Sequence, residues 1–493
     1  MQKVALEYGQ NTVQLEIPDD ATVIEKVPSD KIRTPLSHPE VALEEALNNP
    51  MGSEPLEQLV DKSSRIALMV NDWMGGSYYA APAVLDRLRQ RGVKEQNIRI
   101  MIAGGTHAKV TRKQLFVSNM GRWRTNNKPP FAEAFRILPP EIIEKWSKPG
   151  DDRVERHDSA DPDAVVNLGA TCYGDLLEIN KIYLESDVVI HLGWGPLALS
   201  PWGGLLGSGF VLGVSSARAI LGHHSPAVVN HKEGHHSEPH SQLYSRHKTA
   251  LLEKLEQSVA AKFFLIDPYF NLDGKFAGKW WAGNWRPLRE DQVRYALEEI
   301  TVEVPQSADL LIMDCPPWMF HGGTNNPMLA MSHVAATMRA FLPPTPLLRK
   351  GGVVICSTPC DGTFDEWYRP SDREAIELYA KLDRNIDDLF DRYALDFLHR
   401  PEYIYKYRFC WGHHPIHAFW LLAAEQYVFD QASQVIFAGA PDSLPLRQMG
   451  ITPAPDLETA IRMAKERIGP KPDITVLPRC SKRMGLVFNV KKS

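Results

Sequence analysis

Short apolar runs that stop abruptly at polar or glycine residues recur along the chain, and a helical pattern follows most of them. In the first half the clearest runs are SRIALMVNDW at 64–73, IRIMIAGGTH at 98–107 and SDVVIHLGWG at 186–195. Runs of this length suit buried strands, and the amphipathic segments between them suit crossover helices. The alternation predicts an α/β fold with parallel or mixed sheets.

The second half of the chain repeats this alternation. Strands are predicted at 308–317, 351–360, 433–439 and 474–478. The helical patterns between them include a long span at 371–391 and the amphipathic segment 456–469. A second α/β unit is therefore expected.

The stretch 265–290 is rich in Gly, Trp and Pro and has no clear period, so we place the domain boundary at its end. The prediction is an N-terminal domain, 1–287, that carries the cofactor and acid–base motifs. A C-terminal domain, 288–493, closes the cleft, and the active site lies between the two.

Composition and charge narrow the classes of function. The 493 residues are 44% hydrophobic and 23% charged, which is typical of a folded globular protein. A net charge of −5 supplies no basic field for nucleic acid. No apolar run is long enough to span a bilayer, the start lacks a signal-peptide pattern, and the six cysteines form no CxxC pair. A cytosolic protein without nucleic-acid or membrane partners is expected.

Candidate chemistry begins at the ends of two predicted strands. Asp72 and His107 each end a strand that enters a helical pattern, and ligands of parallel sheets bind at that edge. His107 lies in GGTH, where two glycines allow a tight turn, and a histidine held there can transfer protons near neutral pH. The alternative is that Asp72 caps the next helix and His107 is an ordinary loop residue.

Two further residues leave alternatives open. His157 precedes an acidic loop in which Asp158 can simply hydrogen-bond it. Lys181 lies before a buried strand, where a desolvated amine becomes a nucleophile and a solvated amine does not.

The segment 222–248 is unusually rich in histidine, and it is either a metal site or a polar surface segment. If part of it is helical, His231 and His235 face the same way. Its seven histidines are His223, His224, His231, His235, His236, His240 and His247.

Taken in order, these motifs resemble the nickel-pincer lactate racemase family. They are the strand that ends at Asp72, the GGTH turn before a helix, a His–Asp followed by INK, the SDVVI strand with its glycine-rich turn, and FDEW. The resemblance extends from about residue 60 to 390. Each motif is short, and the order makes the resemblance moderately specific.

The resemblance implies inversion at a hydroxyl-bearing carbon next to a carboxylate, in a cleft where a nickel-pincer nucleotide accepts the hydride. It implies that His107 and His157 are the acid–base pair and that Lys181 can be tethered to the cofactor. The residues that it assigns to cofactor binding are Asp72, Gly105, Thr106, Lys181 and Trp367.

The chain departs from the family pattern in three places. Gly75 stands where the family has an arginine for the substrate carboxylate, and NPMLAMSH at 326–333 lacks the family's lysine. Pro196 and Leu197 stand where the family has Pro-His, so the protein ligand of the metal is unknown. Alternatives are His191 or the histidine-rich segment, a metal held by the pincer alone, or loss of the metal chemistry.

The expected protein is therefore an isomerase, a racemase or epimerase of a small-molecule 2-hydroxy acid larger than lactate, for example a sugar acid. A homo-oligomer is left open. Tryptophans near the inferred cleft either stack on such a substrate or pack the domain junction: Trp194, Trp202, Trp280, Trp281 and Trp285. The other functions considered are a nucleotide- or acid-binding relative without nickel and a zinc- or histidine-dependent enzyme of different chemistry.

Overall fold

The structure is a computed structural model, and it describes residues 1–25, 35–72, 76–108, 137–146, 153–193, 210–230, 243–270, 276–319, 321–339, 345–479 and 487–491. Within these residues, helices alternate with strands that form two large sheets. The predicted α/β class with parallel and mixed sheets is confirmed.

The strands, numbered in chain order, are β1 Gln2–Tyr8, β2 Asn11–Ile17, β3 Thr22–Val23, β4 Ile66–Asn71, β5 Ile98–Ala103, β6 Val154–Arg156, β7 Val165–Ala170, β8 Leu176–Asn180, β9 Val188–Leu192, β10 Lys262–Phe270, β11 Phe276–Gly283, β12 Thr301–Val304, β13 Ala308–Asp314, β14 Trp318–Met319, β15 Gly322–Gly323, β16 Leu348–Ser357, β17 Ala432–Ala438, β18 Ile451–Ala454, β19 Ile474–Leu477 and β20 Val487–Val490.

The helices are Pro39–Asn48, Leu56–Leu59, Ser77–Gln90, Pro140–Trp146, Ile182–Glu185, Ala217–His223, Pro226–Val229, Leu243–Ser258, Trp285–Ile300, Pro327–Arg339, Asp372–Lys381, Ile386–His399, Pro401–Phe409, His417–Gln431, Leu444–Met449 and Leu457–Ile468.

The first sheet has the order β11-β10-β9-β4-β5-β6, and its strands are parallel except for the antiparallel pair β10 and β11. All six residues of β4 are buried, which explains why this run is apolar throughout rather than alternating. Because β4, β5 and β6 are parallel neighbours, their carboxyl ends share one edge. This edge carries the predicted site residues.

The second sheet has the order β18-β17-β16-β13-β19-β3, and all its neighbouring strands are parallel. Its core strand β13 lies between β16 and β19 and is almost fully buried. One connected hydrophobic cluster contains residues of both sheets, for example Met69 and Val189 of the first with Leu311 and Val354 of the second. The two sheets therefore share a core.

Two observations bear on the predicted division at residue 287, which stays a prediction. The hairpin of β1 and β2 packs on the second sheet, and β3 pairs with β19 of that sheet. Position 287 itself lies inside the helix Trp285–Ile300. The first residues of the chain thus lie with the second sheet, so the two units are not simply consecutive in the chain.

Two predicted segments differ from the structure. The aperiodic stretch 265–290 contains most of the β10–β11 hairpin, whose aromatic side chains are largely buried at the edge of the first sheet. The single helical span at 371–391 is two helices, because Asp383 and Arg384 adopt positive φ angles of 52° and 60° and end the first helix. Among the described residues, no helix combines the length and apolarity needed to cross a bilayer.

Candidate active site

The GGTH turn after β5 is shaped by close contacts at both glycines. A Cβ on Gly104 would lie 2.4 Å from a guanidinium nitrogen of Arg156. That guanidinium donates to the carbonyl oxygens of His107, at 2.8 Å, and Ala108, at 2.6 Å. Gly105 has a φ of +48°, and its N–H donates to the carbonyl of Gly213 at 2.8 Å. The turn therefore needs both glycines, and Arg156 fixes the position of the histidine.

The structure brings Asp72 and His107 together. A carboxylate oxygen of buried Asp72 lies 3.2 Å from Nδ1 of His107, and Arg156 lies 3.8 Å from the same oxygen. A carboxylate accepts, so Nδ1 carries the proton and Nε2 is the basic nitrogen of the neutral ring. This arrangement resembles the carboxylate–imidazole pairs that orient a general base.

Three histidines from the second half of the chain surround His107. Ring centres of His321, His417 and His413 lie 5.2, 5.6 and 5.9 Å from that of His107. His321 follows β14, His413 lies in the GHHPIH segment, and His417 begins the helix His417–Gln431. We call His107, His321, His413 and His417 the central cluster.

Arg369 contacts this cluster from the second unit. Its buried guanidinium donates from Nη1 to Nδ1 of His417 at 2.6 Å and from Nε to Asp372 at 2.9 Å. Asn326 donates to the same carboxylate oxygen of Asp372 at 2.6 Å. The ion pair with Asp372 therefore fixes the Nε edge of the guanidinium.

Burial sets the protonation of the cluster. It lowers the pKa of His321, His413 and His417 well below the usual range, and the charge of Arg369 lowers each further. These three imidazoles are therefore neutral at pH 7, and a neutral imidazole whose lone pair is free can bind a metal.

The cluster has the composition of a metal site. One ring nitrogen from each of His107, His321 and His417 lies within 4.8 Å of the others. Imidazoles suit zinc and nickel. His191, a metal-ligand candidate from the sequence, lies elsewhere: it is buried in β9 against Phe210, and burial lowers its pKa to about 3.

The second unit contacts the predicted cofactor-binding residues of the turn through their backbone. The N–H of His414 donates to the carbonyl of Thr106 at 2.9 Å, and the hydroxyl of Tyr407 donates to that of Gly105 at 2.9 Å. The GGTH turn is therefore held from both halves of the molecule.

His157 directly follows β6, so it shares the sheet edge with His107. Its ring is buried and hydrogen-bonded at both nitrogens: Nε2 donates to the carbonyl of Ser215 at 2.8 Å, and Nδ1 accepts from Asn180 at 3.1 Å. Proton transfer by His157 requires one of these bonds to break. Its assignment as a catalytic base stays a prediction.

Lys181 and Trp367 are the most solvent-exposed of the predicted site residues. Lys181 is exposed at the start of the helix Ile182–Glu185, directly after the Asn180 that contacts His157. Trp367 is 57% exposed, and the amine of Lys406 lies 5.4 Å from its ring centre. The structure does not bring these two into the central cluster, and their cofactor roles stay predictions.

The histidine-rich segment 222–248 is only partly described, and 231–242 lie outside the described residues. His223, His224 and His247 are buried, so a polar surface segment is wrong for these three. The tryptophan hypothesis changes as well, because Trp280, Trp281 and Trp285 are buried in the hydrophobic clusters and cannot stack on a substrate. Trp194, Trp202, Gly75, Pro196 and Leu197 lie outside the described residues.

The sequence interpretation missed His321, His413, His417 and Arg369. Their signal was available but weak: GHHPIH places three histidines within six residues, and Arg369 follows FDEW by two. Nothing in the pattern shows that these segments meet His107, because they are separated from it by more than 200 residues.

Fold and cluster together define a class of protein, namely an α/β protein in which histidines from the two halves of the chain meet near the strand ends of the first sheet.

Comparison with known proteins identifies lactate racemases as relatives. The sequence model of the lactate racemase N-terminal domain family matches residues 8–236. The lactate racemase of Thermoanaerobacterium thermosaccharolyticum is 24% identical over 241 residues, which are 46% of this chain and 48% of that protein. The lactate racemase of Lactiplantibacillus plantarum is 26% identical over 289 residues, 56% of this chain and 60% of that protein.

The matched part spans about half the length of these curated relatives. The structure of the lactate racemase apoprotein from T. thermosaccharolyticum superimposes with a TM-score of 0.67 over 100% of both chains, at 19% identity, which shows a shared fold. The chain is therefore similar to lactate racemases in the sequence of its first half and shares the fold of a lactate racemase apoprotein.

Proposed function

We propose that the protein is a racemase or epimerase of a 2-hydroxy acid. The observation that carries this proposal is the Asp72–His107 pair at the strand ends, surrounded by neutral imidazoles of the second unit. Lactate racemases, the relatives found, act at a carbon that bears a hydroxyl next to a carboxylate. Inversion at such a carbon needs proton transfer at the hydroxyl.

His107 is the proposed acid–base group for that proton. Asp72 holds the proton on Nδ1, which leaves Nε2 to accept the hydroxyl proton and return it. Arg156 fixes the main chain of the same residue through two carbonyl oxygens. A positioned group of this kind contributes on the order of 100- to 10,000-fold.

The second acid–base group is proposed to be His157, which extends from the same sheet edge. His321 is the alternative, because its ring centre lies 5.2 Å from that of His107. Comparing His157→Asn with His321→Asn decides between them. The proposed group is the one whose replacement stops inversion without lowering thermal stability or the nickel content of the protein.

The family's cofactor is a nickel-pincer nucleotide, and the donor set of the central cluster fits nickel, which imidazole nitrogen binds well. His321 is the residue proposed to contact the metal, and Lys181 is proposed for the tether. When bound, the nucleotide supplies the hydride acceptor, which no amino-acid side chain provides.

The proposed substrate is a 2-hydroxy acid larger than lactate, such as a sugar acid. Gly75 stands where the resemblance places the arginine that contacts the substrate carboxylate, which argues against lactate itself. The test uses protein made in a host that also makes the pincer nucleotide. Single enantiomers of lactate, mandelate and glycerate are incubated with it and separated by chiral chromatography. Inversion of glycerate or mandelate in preference to lactate is expected, and preference for lactate would overturn the substrate assignment.

A second candidate function is a metal-dependent enzyme of different chemistry, favoured by the close approach of His107, His321 and His417. Elemental analysis separates the candidates: stoichiometric zinc that is lost on His321→Asn, with no inversion of any acid, would support this second function. Nickel together with the mass of a nucleotide supports the racemase.

A further inference from the structure

We infer that Arg369 and His417 together bind the carboxylate group of the substrate. The inference rests on the proposed hydroxy-acid chemistry and adds to it the residues that hold the acid. Arg369 is 2% exposed, and its guanidinium touches the central cluster directly through His417.

The donors of Arg369 are incompletely used. Nε donates to Asp372, and Nη1 donates to His417. The contact of Nη2 is the sulfur of Met328 at 4.0 Å, and a thioether is a weak acceptor. Among the described residues, Nη2 therefore has no oxygen or nitrogen acceptor.

The tautomer of His417 supplies a second donor beside it. A guanidinium only donates, so Nδ1 of His417 accepts and Nε2 carries the proton of the neutral ring. Nε2 is buried and has no hydrogen-bond partner in the described part of the chain. A proton on Nε2 also opposes metal binding by His417 in this arrangement, so the pair fits an anion better than a cation.

Two buried donors without acceptors are unfavourable unless a ligand satisfies them. A carboxylate offers two oxygens with the geometry that a guanidinium prefers. Asp372 holds the guanidinium from the opposite side and is itself held by Asn326. The site is therefore rigid before the ligand arrives.

The spacing connects this site to the proposed base. Ring nitrogens of His417 and His107 lie within 4.8 Å of each other. A 2-hydroxy carboxylate spans that distance with its carboxylate at His417 and its hydroxyl at His107. Bound in this way, the acid places its hydroxyl proton beside the base.

The test measures binding by isothermal titration of racemic mandelate and racemic glycerate, in which no net conversion takes place, with the corresponding amides as uncharged probes. The variant is Arg369→Gln combined with Asp372→Asn, which leaves no buried charge unpaired. The control is Arg373→Gln, an exposed arginine four residues away that pairs with Glu366. Thermal unfolding checks that each variant is folded.

The wild type is expected to bind the acids much more tightly than the amides. The double variant should bind the acids about thirtyfold or more weakly and the amides unchanged, and the control should match the wild type. A folded double variant that binds the acids as tightly as the wild type does would overturn the inference, as would a wild type that does not prefer acids to amides.

Chiral chromatography on the same samples separates this inference from the proposed function. Inversion by the wild type, with binding independent of Arg369, refutes the carboxylate site alone. Arg369-dependent binding of acids without inversion refutes the racemase and supports the carboxylate site.

Discussion

Two groups of histidines in this protein differ in what surrounds them. The central cluster has ionised partners, since Asp72 contacts His107 and Arg369 contacts His417. The flanking cluster consists of His223, His224 and His247. It contacts the backbone and aromatic rings, and a close charged partner is Asp175, whose carboxylate lies 2.8 Å from Nδ1 of His247. Trp420 lies between the clusters, with ring centres 4.3 Å from His417 and 5.5 Å from His224.

Within the flanking cluster, His224 is hydrogen-bonded at both ring nitrogens, and His223 at neither among the described residues. Nδ1 of His224 donates to the carbonyl of Ile220 at 2.9 Å, and its Nε2 accepts from the hydroxyl of Tyr244 at 2.9 Å. Both nitrogens are satisfied within the fold, whereas Nε2 of His417 has no partner among the described residues. The clusters therefore differ in the charges that they contact: the central cluster meets a carboxylate and a guanidinium, and the flanking cluster meets the carboxylate of Asp175.

The largest effect is expected for His107→Asn, which removes the proposed base. Turnover should fall on the order of 100- to 10,000-fold, with little loss of stability because the ring is partly exposed. Chiral chromatography measures the turnover, and thermal unfolding measures the stability. The control is His38→Asn, because His38 also pairs with a carboxylate, Glu40, but on the surface. Equal turnover of both variants would contradict the assignment.

Asp72→Asn keeps the shape of the pair and removes its charge. We expect turnover to fall about 10- to 100-fold, because the amide no longer fixes the proton on Nδ1 of His107. Initial rates of inversion at a saturating concentration of the hydroxy acid measure this fall in turnover, with Glu40→Gln as the surface control. A change in KM alone, with kcat unchanged, would show that Asp72 does not position the base.

In the flanking cluster, His224→Phe should lower the free energy of unfolding by about 1–3 kcal/mol, because the hydroxyl of Tyr244 loses its acceptor inside the protein. Turnover should not change. Urea unfolding and initial rates measure the two quantities. A loss of turnover comparable to that of His107→Asn would show that the clusters act as one site.

The effect of pH on stability through His191 is smallest near neutrality and grows as the pH falls. Burial lowers the pKa of His191 to about 3 from an ordinary value near 6.5. Below pH 6.5 the unfolded chain binds a proton that the folded protein excludes, so stability is lost as the pH falls towards 3, at about 1.4 kcal/mol per pH unit. Asp267, whose pKa burial raises to about 6, opposes this below pH 6. His191→Phe should remove the contribution of His191.

Urea midpoints at pH 7, 6 and 5 measure that slope. The variant should show a shallower decline than the wild type below pH 6. Identical slopes would mean that His191 is not buried in the neutral form.

Much of the fold follows from local patterns. The apolar runs at β4, β5, β9, β13, β16, β17 and β19 each contain at least four consecutive buried residues, so they are recognisable without a structure. The β10–β11 hairpin was missed because its Gly and Pro residues interrupt any period. The pairing of β3 with β19 was missed because two residues of strand carry no pattern.

The sequence by itself determined the alternation of strands and helices, the GGTH turn and the position of Asp72 and His107 at strand ends, because each depends on residues within about ten positions of one another. Only the tertiary structure decided that His321, His417 and Arg369 meet His107. Contacts across hundreds of residues depend on which strands pair and how the two sheets pack, and no local pattern encodes that choice.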